Sequence, residues 1–176
     1  MLVERFSLDH VGASPATFDY AKLDWMNGMY LRELSPADYA DTLIGYLREQ
    51  GYDWPEDRIR ATGPIVQEKI AKLGEFPEFA GFLFHEVEPD PVLLDRDVLT
   101  AAAAALDEVE PWEASRLEVS LKQVTESLGM KPRQSFQPIR VAVTGSKISP
   151  GLYESLELLG RDESLARLRA GAAAAA

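Results

Sequence analysis

Hydrophobic residues recur every three or four positions along almost the whole chain, and this spacing predicts α-helices. No segment alternates apolar and polar residues with a period of two, as a half-buried strand does. The sequence therefore predicts an all-α protein. The clearest helical stripes are Leu23, Met26 and Tyr30, then Ala40, Leu43, Ile44 and Leu47, and finally Leu117, Leu121, Val124 and Leu128.

Prolines and glycines mark the predicted helix boundaries in the first half of the chain. A helix from Phe18 to Arg32 precedes Ser35-Pro36, which predicts a second helix because serine caps a helix and proline fits its first turn. That second helix should end near Gly51. A third helix should begin at residues 53–55, and Gly63-Pro64 should kink or interrupt it because proline removes a backbone hydrogen bond.

The sequence EVEPDP at residues 86–91 is the best candidate for a linker, since each proline restrains the residue before it to extended conformations. We therefore expect two small helical bundles that meet near residue 90. The first would comprise residues 1–88 and the second residues 89–176.

Helices are also predicted in the second half from composition and apolar spacing. An alanine-rich helix covers residues 101–106, and a longer helix begins at Trp112, with Gly129 after its end. A last helix begins at Asp162 and should fade into the alanine run at residues 172–176, which has no apolar pattern.

The stretch RVAVTGSKISPGLYESLELLG, from Arg140 to Gly160, carries the strongest candidate for a binding corner. Gly145 should end one helix, and Ser149-Pro150 should begin an amphipathic helix. A Ser-Pro start presents a hydroxyl and free backbone N–H groups, which can bind a phosphate or the edge of a base. Arg140 and Lys147 flank that corner with positive charge.

Composition places the chain among ordinary globular proteins and excludes a disordered one, since 46% of residues are hydrophobic and 27% are charged. There is no apolar run of about 18 residues that could cross a membrane. The chain has no cysteine, so it has neither disulfides nor a thiolate zinc site, which favours a cytoplasmic protein.

The net charge of −11 argues against a nucleic-acid partner, but the charge is unevenly distributed. Residues 121–147 contain five basic residues and one acidic residue, a net charge of +4, so the rest of the chain carries −15. A basic patch on an acidic body can bind phosphates locally. The alternative is an ordinary solvated surface.

Motifs for catalysis and for metal binding are missing from the sequence. There is no glycine-rich phosphate loop and no G-x-S-x-G nucleophile elbow. His10 and His85 lie far apart without ligand-spaced partners, so each is interpreted as a surface or half-buried histidine. We predict no catalytic residue and no metal site in this chain.

Three blocks resemble the bacterial glutamyl-tRNA synthetases, a family of class I aminoacyl-tRNA synthetases. Residues 5–34 contain FDYAKLDWMNGMYLR, similar to the family segment F-D-x-x-K-L-x-W-x-N-x-x-Y-[IL]-R. Residues 67–84 and 137–168 follow in the family's order, and the last block contains RVAVTGSKISPGLYESLELLG. The H-x-G-H and K-[ML]-S-K-[RS] segments, which handle ATP in the family, are not present.

The resemblance implies that this chain is the helical anticodon-binding region of a cytoplasmic glutamate–tRNA ligase and is inactive alone. A preceding catalytic half would attach glutamate to tRNA with ATP and magnesium, so no cofactor is expected in the chain itself. The expected partner is a glutamate-accepting tRNA, with no membrane and no DNA partner. One alternative hypothesis is an acidic helical scaffold that binds another protein through an apolar groove. Another is an enzyme that acts on its own.

The resemblance also implies a set of site residues. Those expected at the anticodon are Lys69, Lys122, Arg140, Ser149, Pro150 and Leu152, where a leucine or proline can support an unstacked base. Further phosphate contacts are expected from Lys131, Arg133 and Lys147.

Lys69 aligns with the family residue that helps to read the third anticodon base. Arginine there is associated with rejecting glutamine tRNA, and a smaller, glutamine-like side chain with accepting it. Lysine is neither, and Gln67 could occupy the same space if the helix shifts after Gly63-Pro64. Whether glutamine tRNA is also accepted stays open.

Overall fold

The computed structural model describes residues 19–175, and in that range it contains α-helices and short 3₁₀ helices without a strand. The prediction of an all-α protein is confirmed. His10 and the predicted helix start at Phe18 lie outside the described residues. The α-helices are α1 (Tyr20–Glu33), α2 (Pro36–Glu49), α3 (Glu56–Val66), α4 (Phe76–Ala80), α5 (Arg96–Asp107), α6 (Ala114–Ser127), α7 (Pro132–Thr144), α8 (Leu152–Leu159) and α9 (Arg161–Ala174).

The predicted start of α2 is confirmed in detail. The Ser35 hydroxyl accepts a hydrogen bond of 3.2 Å from the N–H of Asp38, and Pro36 occupies the first turn. Gly51 follows the helix with φ +86°, a conformation that favours glycine. Local side-chain chemistry is therefore enough to place both ends of this helix.

The predicted interruption at Gly63-Pro64 is wrong, because α3 continues through both residues to Val66. Pro64 lies near the end of the helix, where the lost hydrogen bond affects only the last turns. Gly63 is buried against the ring of Tyr39, so the helix packs closely at this point. Residues 67–72 are not helical, although Ile70 remains in the core.

The buried side chains form two hydrophobic clusters. The first belongs to α1–α4 and includes Tyr39, Leu43 and Phe76, and the second is built mainly by α5–α9. Phe82 and Leu83 precede the predicted linker, yet their side chains pack in the second cluster. The division of the chain at residues 88/89 stays a prediction. In sequence, the first cluster ends at Ala80 and the second begins at Phe82.

Arg167 of α9 joins the two halves. Its side chain is only 10% exposed, and its guanidinium donates hydrogen bonds to the backbone carbonyls of Val143 (2.7 Å), Phe82 (3.0 Å) and His85 (3.2 Å). Nε of the same side chain pairs with Glu163 at 2.7 Å. One buried cation therefore holds the end of α7 and the segment before the linker against α9.

Helix α9 continues into the alanine run as far as Ala174, where Ala173 and Ala174 are exposed. Gly171 lies against Ala142 and Leu99, which shows that small residues here permit a close approach of helices. Arg96 donates a hydrogen bond of 2.9 Å to the carbonyl of Ala175, whose side chain is buried. No helix within residues 19–175 is long and apolar enough to cross a membrane.

We expect Arg167→Met to lower the free energy of unfolding by about 2–4 kcal/mol, because the part-buried carbonyls of Phe82 and Val143 and the exposed carbonyl of His85 lose a charged donor. Urea unfolding followed by circular dichroism measures this change. The matched control is Arg169→Met, since Arg169 is 60% exposed and pairs with Asp107 at 2.9 Å. It should cost less than about 1 kcal/mol. Equal effects of the two substitutions would contradict the role of Arg167.

Candidate nucleic-acid interface

The connection between α7 and α8, residues 145–151, forms a corner loop that is held by its own hydrogen bonds. Gly145 has φ +72°, and its N–H donates to the carbonyl of Val141 at 2.8 Å. The Thr144 hydroxyl accepts from the N–H of Ser146 at 3.3 Å, and the Ser146 hydroxyl accepts from the N–H of Ile148 at 3.1 Å. The loop therefore has a defined shape without a ligand.

Arg140 braces this corner loop from α7. Its Nη1 donates to the carbonyl of Pro150 at 2.7 Å and to the Ser149 hydroxyl. Burial lowers the pKa of the Arg140 guanidinium, while the nearby Glu154 and Tyr153 raise it. All of these contacts are made by Nη1, and Nε and Nη2 of Arg140 donate to no residue in the range 19–175.

The predicted helix start at Ser149-Pro150 is wrong, because α8 begins at Leu152 and Gly151 is its N-cap residue. The Ser149 hydroxyl is engaged with Arg140 and with the carbonyl of Pro150, so it caps no helix. The Glu154 carboxylate lies beside Gly151 and adds negative charge at the start of α8. This helix end is therefore less open to a phosphate than the sequence indicated.

Pro150 and Leu152 are placed differently from the prediction. Both are buried, and Leu152, which is only 4% exposed, packs in the second hydrophobic cluster. A leucine at this position cannot support a base with its side chain, since the core covers it. The exposed residues of the corner loop are instead Gly145, Lys147 and Ile148.

A cavity of about 420 Å³, which we call the basic groove, lies between the start of α7 and the corner loop. It brings together three of the predicted cations. Among residues 19–175, Arg133 and Lys147 form no ion pair, and both are exposed. The lining residues are Pro132, Arg133, Phe136, Gln137, Arg140, Lys147 and Ile148.

A second cavity of about 290 Å³, which we call the lysine groove, lies on the other side of the corner loop. It places Lys69 of the first half beside Ser146 and Ile148 of the second. The side chain of Lys69 is exposed, and the carboxylate of Glu75 in this groove accepts from the N–H of Ala71 at 3.0 Å. The lining residues are Lys69, Ile70, Glu75, Glu78, Phe79, Ser146 and Ile148.

Gln67 does not share the position of Lys69, so the alternative of a shifted helix is wrong. Its side chain is 8% exposed, and Nε2 donates to the carbonyls of Leu31 (2.8 Å) and Leu34 (2.9 Å). These carbonyls lie at the end of α1, where no helical N–H remains for them. Gln67 therefore ties α1 to the segment that follows α3.

Lys122 and Lys131 line neither groove. Lys122 of α6 pairs with Glu118 at 2.8 Å, and this hydrogen bond raises the pKa of its ammonium group. Lys131 is exposed at the start of α7, where its backbone N–H donates to the Gln134 side chain at 3.2 Å. Lys131 directly precedes Pro132, which lines the basic groove, whereas no residue of α6 lines it.

The structure adds site residues that sequence reasoning missed. Phe136 and Gln137 line the basic groove, Phe79 lines the lysine groove, and Ile148 lines both. Ile148 is 73% exposed in a loop. In the sequence, the only indication of this was an isoleucine that lies outside every predicted helical stripe. No group of three His, Cys, Asp or Glu side chains among residues 19–175 is arranged to hold a metal ion.

The sequence profile of an anticodon-binding domain family matches residues 34–172. The glutamate–tRNA ligases of Acidothermus cellulolyticus and Kineococcus radiotolerans are 44% and 43% identical to this chain over 99% and 96% of its length. The chain spans 38% and 37% of these two relatives and matches their C-terminal part.

Solved structures show the same fold. A glutamate tRNA ligase from Elizabethkingia meningosepticum, crystallised in complex with its amino acid, matches with a TM-score of 0.77 at 18% identity. The match covers 96% of this chain and 35% of that one. The glutamate–tRNA synthetase of Elizabethkingia anophelis matches with a TM-score of 0.75, also at 18% identity, over 96% of this chain and 34% of that one.

We expect Gln67→Met to accelerate hydrogen exchange at the backbone amides of α1, because the two hydrogen bonds to the carbonyls at the end of α1 are lost. The free energy of local opening of this helix should fall by about 1–3 kcal/mol. Exchange detected by mass spectrometry measures this change. The control is Gln123→Met, an exposed glutamine of α6, which should leave α1 unchanged. Unaltered exchange in Gln67→Met would show that Gln67 does not hold α1.

Proposed function

This chain belongs to the anticodon-binding domain family, and we propose that it binds the anticodon loop of a glutamate-accepting tRNA. The observation that carries the proposal is the corner loop between two grooves, where Arg133, Arg140, Lys147 and Lys69 converge. Phosphates suit exposed guanidinium and ammonium groups, and unstacked bases suit the aromatic side chains.

The charge distribution supports a defined orientation of the RNA. The segment of residues 121–147 carries +4 within a chain of net charge −11. Phosphates are therefore attracted to the side of the corner loop and repelled from acidic surfaces elsewhere. An acidic protein can bind RNA in this way, provided that contact is confined to one region.

In the whole ligase, this region would grip the anticodon while a catalytic part attaches glutamate to the distant end of the tRNA. We assign ATP and its magnesium ion to that catalytic part, because the sequence contains neither of the two ATP-handling motifs of the family. We further propose a cytoplasmic location, with no DNA partner. A scaffold for another protein would show no salt-sensitive binding of tRNA.

Lys69 is the residue on which we expect the choice between tRNAs to depend. It is exposed in the lysine groove, and Gln67 is committed to the end of α1. An ammonium group is a compact donor without the planar fork of a guanidinium, so it restrains the orientation of a base less than arginine does. We propose that this chain binds glutamate tRNA. Its affinity for glutamine tRNA has to be measured in the same experiment, to show whether that tRNA is also accepted.

We expect Arg133→Gln combined with Lys147→Gln to weaken tRNA binding and to reduce its salt dependence. Each lost phosphate contact lowers the slope of log affinity against log salt by about 0.7, so the pair should lower it by about 1.4. Titrations with glutamate and glutamine tRNAs across a range of salt measure both slopes and the preference.

The control for that pair is Arg48→Gln, an exposed cation of α2 that lines neither groove and pairs with Glu56. Its slope should match that of the unaltered chain. A wild-type slope in the double variant would place the phosphate contacts elsewhere, and no binding by the unaltered chain at low salt would favour the scaffold.

We expect Arg140→Ala to weaken tRNA binding by about 1–3 kcal/mol, the range for a lost bidentate contact, while the chain stays folded. Because Arg140 braces the corner loop, the melting temperature should also fall by a few degrees, on the order of 1 kcal/mol of stability. Arg140→Lys is the matched variant, since it keeps the charge and loses the fork. Wild-type affinity with unchanged melting in Arg140→Ala would contradict the assignment.

A further inference from the structure

We propose that Ile148 is an apolar wedge that separates two neighbouring bases of the bound loop, with one base in the basic groove and the next in the lysine groove. This inference rests on the proposed function, since it names how the same site holds its RNA. Its basis is that Ile148 lines both cavities and forms the ridge between them.

The exposure of Ile148 alone would carry no argument, because isolated exposed aliphatic residues are common. Val92, for example, is 82% exposed and lines neither groove. Ile148 is 73% exposed and stands between two cavities that hold cations and aromatic rings. Its position, rather than its exposure, distinguishes it.

The ridge is held in place by the corner loop. The N–H of Ile148 donates to the Ser146 hydroxyl at 3.1 Å, and the N–H of Ser146 donates to the Thr144 hydroxyl at 3.3 Å. Isoleucine is branched at Cβ, which restricts its first side-chain torsion. A side chain with few conformations on a hydrogen-bonded loop loses little entropy when a base packs against it.

Each groove offers an aromatic ring and at least one cation on its side of the ridge, and the lysine groove also contains the carboxylates of Glu75 and Glu78. The basic groove contains Phe136, whose ring meets Tyr153 edge-on with centroids 6.0 Å apart, together with its three cations. The lysine groove contains Phe79 and Lys69. An aromatic side chain can stack a base, and a neighbouring cation can contact its phosphate.

The grooves measure about 420 Å³ and 290 Å³, so each has room for a base, and Ile148 lies between them. An apolar side chain inserted between two bases costs their stacking energy, a few kcal/mol, and contacts on both sides offset that cost. In an unpaired loop no base pair has to be broken, so the cost is lower than in a duplex.

The test compares Ile148→Ala with Ile148→Leu, which keeps the apolar volume, and with the control Val92→Ala. The probe is a hairpin RNA with the anticodon loop of a glutamate tRNA. It carries, at one loop position at a time, a fluorescent base whose emission is quenched by stacking. Binding to the unaltered chain should raise the emission at two adjacent positions.

We expect Ile148→Ala to reduce that rise and to weaken binding on the order of tenfold, because most of an apolar side chain is removed. The salt dependence should not change, since no cation is altered. Ile148→Leu should restore much of the rise, and Val92→Ala should behave as the unaltered chain does.

Two failures are distinguishable in this experiment. If the unaltered chain binds the hairpin with steep salt dependence and Ile148→Ala gives the same emission and affinity, the wedge is overturned and the proposed function stands. If the unaltered chain does not bind the hairpin, the proposed function fails first. Emission rising at positions that are not adjacent also overturns the wedge.

Discussion

The guanidinium of Arg167 is the contact that fixes α9 against both the end of α7 and residues 82–85. It binds the carbonyls of Val143, Phe82 and His85, which lie in the last turn of α7, in the 3₁₀ helix of residues 81–83 and just after that helix. Few other groups can satisfy several carbonyls from separate segments at once. The position of Lys69 beside the corner loop follows from this docking, because Lys69 and the loop belong to different halves.

Arg140 braces the corner loop, and in the proposed function the same side chain also contacts the RNA. Part of its guanidinium holds the carbonyl of Pro150, and the same side chain lines the basic groove. Partial burial disfavours its charge, which is why the brace of oxygen atoms around it matters. A cation that is already oriented loses less freedom when a phosphate or base arrives, so the site is organised before RNA binds.

Much of the helical order could be predicted from sequence, while the packing could not. Ser35-Pro36 predicts a helix start and Gly145 predicts a helix end, because both depend on local backbone preferences. The structure has a helix start and a helix end at these residues. Leu152, Leu156 and Leu159 are spaced as one apolar stripe and all pack in the second hydrophobic cluster, whereas the expected contact of Leu152 with a base came from the resemblance alone. The meeting of Lys69 with Ile148 depends on tertiary contacts between distant segments, which helical periodicity does not encode.

The lysine groove takes its walls from both halves of the chain, and this has a thermodynamic consequence. A ligand that binds only the assembled groove stabilises the docked arrangement over any in which the halves separate. The free energy of this stabilisation is set by the ligand concentration relative to its dissociation constant. Occupancy of the groove and docking of the halves are thus linked equilibria. By the same linkage, any substitution that loosens the docking lowers the apparent affinity for the ligand, even when it lies far from the groove.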